Sequence, residues 1–228
     1  MALAQRLILS AVLLACAYSA PAAVAFDSNA SGSTGGSLSM SWSHTCTGSN
    51  LVLVVGIGTN QPSDVITGVT YNGVQLRKVG SAAFNGSRSV VQYALVAPAV
   101  GTHPVVVTAS TSVAMGGVSQ SFTGSNGVLS NQVSSTNSPN CIGIVASANG
   151  NMVCDVVNTS GILQFEDSNN MFVGVAGLGY IAAGSIAGSA SQYCGYAGVG
   201  GGPVLLAVNV VAGSQSQPSG GLASMGVG

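Results

Sequence analysis

The side chains able to do chemistry in this chain are few and scattered. His44 and His103 are its two histidines, and its five carboxylates are Asp27, Asp64, Asp155, Glu166 and Asp167. A serine hydrolase needs a hydroxyl nucleophile beside a base. No Gly-x-Ser-x-Gly turn occurs, and His44 falls on the same side of an alternating run as Trp42. That pattern reads as a hydrogen-bonded core or rim histidine. His103 precedes Pro104 at the start of an apolar run and reads as solvent-facing. A glycosidase needs two carboxyl groups about 5–10 Å apart. Glu166 and Asp167 are adjacent, so a strand would send them to opposite faces. Asp155 with Glu166 is the one remaining pair. Asp27 with Asn29 falls short of the several oxygen ligands calcium takes. "VVGIGTNQ" starts like a dinucleotide turn at Gly56-x-Gly58, but the third glycine and the following helix are missing. The pattern is that of a protein without a catalytic set, cofactor or metal.

Binding chemistry is a second possibility, because sugars stack on exposed aromatic rings. Trp42, the only tryptophan, alternates with apolar residues and reads as core. Tyr193 and Tyr196 flank Cys194 in a Gly-rich segment, which reads as a loop displaying two rings to a glycan.

These residues sit in a chain dominated by period-two alternation. "SLSMSWSH" places Leu38, Met40, Trp42 and His44 on one face and serines on the other. "LVLVVGIG" is continuously apolar and suits the centre of a sandwich. "VITGVTY" and "VQLRKV" flank Asn72-Gly73, the strongest hairpin signal present. Further short runs follow, such as "SVVQYALV", "VAMGGVSQSF", "CIGIVAS", "NMVCDVV" and "PVLLAVNVV". Many short strands with turn residues between them indicate an all-β, two-sheet antiparallel sandwich of jelly-roll type. Arg77-Lys78 reads as charge guarding a strand edge. "MFVGVAGLGYIAAGSIAGSA" is as long as a membrane span but rich in Gly and Ser, and reads as two strands around a loop.

The amino terminus bears an export signal: Arg6, an apolar run from Leu7 to Ala15, and Ala23-Val24-Ala25 as a small-x-small cut site. Cleavage before Phe26 is expected, giving a signal peptide over 1–25, one sandwich domain over 26–212 and a low-complexity tail over 213–228. The alternative cut uses Leu13-Leu14-Ala15-Cys16, which would lipidate Cys16 and anchor the protein in the outer or cytoplasmic membrane. Either route leads out of the cytoplasm, where disulfides form. Asn149-Gly150 joins the runs that carry Cys141 and Cys154, so the expected bridges are Cys141–Cys154 and Cys46–Cys194.

Taken in order, "AFDSNASGSTGGSLSMSWSHTCTGSNLVLVVGIG", "VITGVTYNGVQLRKVG", "QYALVAPAVGTHPVVVTAS" and "NMVCDVV" resemble a secreted bacterial β-sandwich module of surface-exposed, adhesin-like proteins. The resemblance covers roughly Phe26 to Val157. It implies a jelly-roll-like sandwich and an extracellular setting, and carries over no catalytic or binding residue. This chain departs from the module in its cysteines and in a last third rich in Gly and Ala.

Only 4% of the 228 residues are charged against 47% hydrophobic, with a net charge of −1; about a quarter is the usual charged share. So neutral a surface excludes nucleic acid, which needs clustered Lys and Arg. The expected partners are other surface proteins, further copies of the chain, or glycans, with a membrane only if Cys16 is lipidated. The expected function is that of an exported, non-catalytic structural, adhesive or self-assembling protein. A carbohydrate-binding module or minor glycosidase is the alternative.

Overall fold

The computed structural model describes residues 23–136, 140–161, 164–165, 168–197 and 201–213, all of them strand, turn or loop. Fifteen strands follow one another: β1 (Ala25–Cys46), β2 (Val52–Thr59), β3 (Ile66–Tyr71), β4 (Val74–Gln75), β5 (Arg77–Asn85), β6 (Arg88–Val96), β7 (Gly101–Thr123) and β8 (Ser125–Ser135). Then come β9 (Cys141–Val145), β10 (Met152–Thr159), β11 (Gln164–Phe165), β12 (Ser168–Val175), β13 (Gly179–Ala187), β14 (Gln192–Ala197) and β15 (Val204–Ala212). They form three antiparallel sheets, ordered β4-β3-β7-β2-β6-β5 with β1 beside β7, β12-β13-β10-β15-β8, and β11-β14-β9. The expected all-β sandwich is what the chain forms. The segment as long as a membrane span is the β12–β13 hairpin, with Phe172 opposite Ala182.

The first sheet folds over on itself. β1 and β7 pair from Ala25↔Thr123 to Cys46↔Gly101, with register shifts between Thr34 and Ser37 and between Ser37 and Ser39. At that bulged corner next to Gly35-Gly36 the ribbon turns back, as strands do where sheets change direction. The first half of β7 pairs with β3, the second half with β2. The result is four stacked layers. The first holds β4, β3, the first half of β7 and the second half of β1. The second holds β5, β6, β2 and the remaining halves. The other two sheets are the third and fourth layers. Leu53, Val55, Ile57, Trp42, Tyr71, Tyr93 and Val107 fill the space between the first two. Val52, Val54, Phe122, Val208 and Val210, with Val118, Val156, Ile181 and Leu206, fill the next. Val153, Val157, Leu205, Ala207 and Tyr196 fill the last.

This layering explains the continuous apolar runs. Every residue of β2 is buried, because odd positions face the first layer and even positions the third. Gly56 and Gly58 take two of the even positions. A Cβ on Gly56 would lie 2.6 Å from Val156 Cβ, and one on Gly58 2.2 Å from Ile181 Cδ1. The Gly56-x-Gly58 spacing is a packing device between layers. Asn72-Gly73 forms its two-residue hairpin, both at positive φ (49° and 76°), as a type I′ turn requires. The folded body begins ahead of Phe26: Val24 is buried, and its N–H donates to Gly150 O at 2.7 Å. Cys16, the rest of the expected signal region up to 22, and the tail from 214 lie outside the described residues.

Gly56→Ala drives a methyl group into Val156 and is expected to cost roughly 1–3 kcal/mol. Gly36→Ala, which meets only Ser112 Oγ at 4.0 Å, is expected to stay within about 0.5 kcal/mol. Urea unfolding of both variants checks the close approach of the layers.

Candidate functional site

The two halves of β1 meet again at the open side of the folded sheet. There they are joined by side chains, with no strand ladder between them. Ser28 Oγ–H donates to Thr45 O, Thr47 N–H donates to Asp27 Oδ2 at 2.9 Å, and Thr47 Oγ1–H donates to Asp27 Oδ1. Behind this seam runs a buried polar chain. Trp42 Nε1 lies 2.9 Å from Ser119 Oγ, Ser119 Oγ 2.9 Å from His44 Nδ1, His44 Nε2 3.0 Å from Ser121 Oγ, and Ser121 Oγ 2.7 Å from Asp27 Oδ2. An indole N–H can only donate and a carboxylate can only accept. Ser119 Oγ–H has two acceptors in reach, His44 Nδ1 at 2.9 Å and Ala30 O at 3.2 Å. Pointed at the nearer, it sets the hydrogens running one way, from Trp42 through Ser119, His44 and Ser121 to Asp27, and in that arrangement a neutral His44 carries its proton on Nε2.

Burial drives the His44 pKa down to about 4, against an opposing pull from the Asp27 charge. Desolvation raises the Cys46 thiol and the Tyr71 phenol beside it. Tyr71 Oη–H donates to Gly101 O at 2.9 Å, and its ring meets those of His44 and His103 edge-on. His103, half-buried here, thus belongs to the same corner. The order acid–Ser–His–Ser differs from a catalytic triad, where the histidine stands between acid and nucleophile. Ser119 and Ser121 have no exposed surface. The chain of bonds closes the seam and locates Trp42, whose ring fills notches left by Gly32 and Gly117. The two residues weighed for calcium make these bonds instead: the Asp27 oxygens accept as above, and Asn29 Nδ2–H donates to Asn169 O at 3.3 Å. Among the described residues no three His, Cys, Asp or Glu side chains gather as metal ligands.

A second polar layer lies between layers two and three. Cys154 Sγ–H donates to Gln120 Oε1 at 2.9 Å, and Gln120 Nε2–H to Asn169 O at 3.1 Å. Arg88 Nη1–H donates to Asn158 Oδ1 at 2.9 Å, while Asn158 Nδ2–H reaches Thr59 O and Ser89 O, each at 3.0 Å. The sequence reading missed these residues and the serines of the seam. Their signal was the polar triplet Ser119-Gln120-Ser121 inside an apolar strand, which alternation sends to two different layers. Asp155 points toward the fourth layer. Its Oδ1 accepts from Gly184 N–H at 2.9 Å and Tyr196 Oη–H at 2.8 Å. Its suggested partner Glu166, like Asp167, is outside the described residues.

Two expectations are corrected. The expected bridges Cys141–Cys154 and Cys46–Cys194 do not form: all four thiols are free and buried. The Asn149-Gly150 turn exists, with Asn151 N–H donating to Ala148 O. It passes the chain from the fourth layer to the third instead of pairing β9 with β10. Cys141 lies between layers three and four and Cys154 between two and three, on opposite faces of the third. Cys46 is in the core of the first two layers and Cys194 in that of the last two. Tyr196 is not a displayed ring. Tyr193 and Tyr196 are three apart on a strand, so they face opposite ways. Tyr193 is 61% exposed on the outer surface, and Tyr196 is wholly buried. Arg77 and Lys78 do stand on an edge strand, where Lys78 pairs with Asp64.

Two measurements check this corner of the molecule. Burial holds the Cys141 thiol at about 11 and raises Cys46, so a thiol reagent at mildly alkaline pH is expected to leave all four thiols unlabelled in the folded protein. All four should react after denaturation without reductant, and each disulfide present would remove two from that count. The second concerns acid. The folded pKa of His44 is below the unfolded 6.5, so the unfolded chain takes up a proton the folded chain refuses. Stability is full above pH 6.5 and falls by about 1.4 kcal/mol per unit down to pH 4, roughly 3 kcal/mol in all. Urea midpoints followed by Trp42 emission should show this slope, flattened in His44→Gln.

No protein family, curated protein or solved structure matches the chain.

Proposed function

We propose that this is an exported, non-catalytic protein that works by surface contact, in a structural or adhesive role. The observation that carries the reading is the outer face of the first layer. Ser41, Ser43 and Thr45 on β1 lie across from Val106, Pro104 and Thr102 on β7, with Thr108 and Thr67 beyond. The hydroxyls link across strands: Thr45 Oγ1 is 2.7 Å from Thr102 Oγ1, and Thr67 Oγ1–H donates to Thr108 Oγ1 at 3.0 Å. The strand segments of this layer carry no Asp, Glu, Lys or Arg. A sheet face of this kind offers hydrogen-bond donors and acceptors without ionic repulsion, which suits a neutral hydrated surface such as another protein or a cell wall.

Export by the amino-terminal signal belongs to the same reading, as does the adhesin-like setting. The glycan-binding alternative keeps Tyr193 and loses Tyr196.

Because no charge takes part, binding of the purified protein to cells of the organism that makes it should change little between low and high salt. Ser41→Lys with Ser43→Lys should weaken that binding about tenfold or more by placing unpaired charge in the contact. Selective retention on a glycan array, abolished by Tyr193→Ala, would replace this reading with the glycan-binding one.

A further inference from the structure

A sheet edge is a row of unpaired backbone donors and acceptors, and proteins usually blunt it. Most edges of this molecule are blunted. β5 carries Arg77 and Lys78 and a register shift between Val79 and Ala83. β1 has three register shifts and its seam. β4 and β11 are two residues long. β12 is shifted between Ser168 and Met171 and is tied to β1 through Asn29. β8 is shifted twice against β15.

β9 has none of these devices. It is the terminal strand of the fourth layer and pairs with β14 in unbroken register from Tyr196↔Cys141 to Gln192↔Val145. Neither strand holds a charge or a proline. Its outer face is apolar: Ile144 is 49% exposed and stands opposite Tyr193 at 61%. The strand also reads almost the same in both directions, Cys-Ile-Gly-Ile-Val about Gly143.

We propose that β9 is a self-pairing edge, and that two copies of this chain join antiparallel about a two-fold axis through Gly143. Glycine then faces glycine on the axis. Ile142 of each copy stands opposite Ile144 of the other, a β-branched cross-strand pair. The fourth layers merge into one six-stranded sheet. Across it Tyr193 and Ile144 of one copy continue into Ile142 of the second. Neither β9 nor β14 carries a charge that would oppose the pairing of the two strands. A contact built on five residues is smaller than a stable dimer usually buries, so dissociation falls in the micromolar range. This inference rests on the contact reading above and names one partner for it.

The test is sedimentation of the full chain over a range of concentrations. The wild type is expected to show a reversible monomer–dimer equilibrium. Ile142→Lys with Ile144→Lys opposes lysines on both sides of the axis and should weaken it about a hundredfold. Ile142→Glu with Ile144→Glu should do the same. An equimolar mixture of the two variants should restore a heterodimer, which misfolded variants would not form. A wild type that stays monomeric at about 100 μM, or a lysine variant that dimerises like the wild type, overturns the proposal. So does a mixture that remains monomeric. The outcomes separate from those of the contact reading. A monomeric wild type that still binds cells sinks only the dimer, and a dimer that binds no cells sinks only the contact role.

Discussion

A strand covered on both faces can place a polar side chain only against another polar group, because an unpaired one costs roughly 1–3 kcal/mol. That constraint governs β2, β6, β10, β15 and the second half of β7, which lie at the centre of the two inner layers. It removes side chains where layers come nearest, at Gly56, Gly58, Gly116 and Gly117. It also matches the polar residues that remain: Thr59 Oγ1 lies 2.7 Å from Ser89 Oγ, and Asn158 serves Arg88 and two backbone carbonyls. Gln92 is the imperfect case. Its Nε2–H reaches Cys154 O at 3.4 Å, and its Oε1 finds no partner among the described residues.

The same constraint decides what the reactive residue types are for. His44, Ser119, Ser121 and Asp27 look like parts of a hydrolase when counted, yet each is aligned by the need to bury Trp42. The indole donor must be satisfied once its ring enters the Gly32 and Gly117 notches. Ser119 accepts from it, and each later member satisfies the one before. The series ends only at Asp27, whose charge is partly exposed and which also receives Thr47 from across the seam. A ladder between the halves of β1 would have closed that edge with backbone alone. The side-chain closure leaves it dependent on the protonation state of His44.

Strand type, the central place of the apolar run Leu51–Gly58, the Asn72-Gly73 hairpin and the edge charges were legible in the sequence because each depends on near neighbours in the chain. The fold-over of β1 and β7 was not. It depends on bulges near Gly35-Gly36 that shift register without breaking alternation for long. The cysteines misled for a related reason. A turn fixes the direction of the chain for two residues, and whether the following strand rejoins the same sheet depends on which faces need cover. β9 has one buried face and β10 has two, so β10 is drawn inward and β9 is left at the outside. Tyr193 and Tyr196 were legible in principle: an odd spacing on a strand separates two side chains, and reading the segment as a loop concealed it.

The distribution of charge connects the interior to the outside. Among the described ions, Asp64 holds Lys78, Asp155 clasps the fourth layer through Tyr196, and Arg88 is held by Asn158. The two ends of the stack are left neutral but unlike, hydroxyl-bearing at the first layer and apolar at the fourth. The proposed pairing through β9 would take place within one sheet, and a two-fold axis normal to that sheet would keep like faces on the same side. Both hydroxyl faces of such a dimer point the same way. Two weak contacts presented together to one surface bind far more firmly than either alone, because the second forms at a high effective concentration. On that proposal, an uncharged face that grips feebly as a single copy would gain from β9, the one edge left unguarded among the described residues.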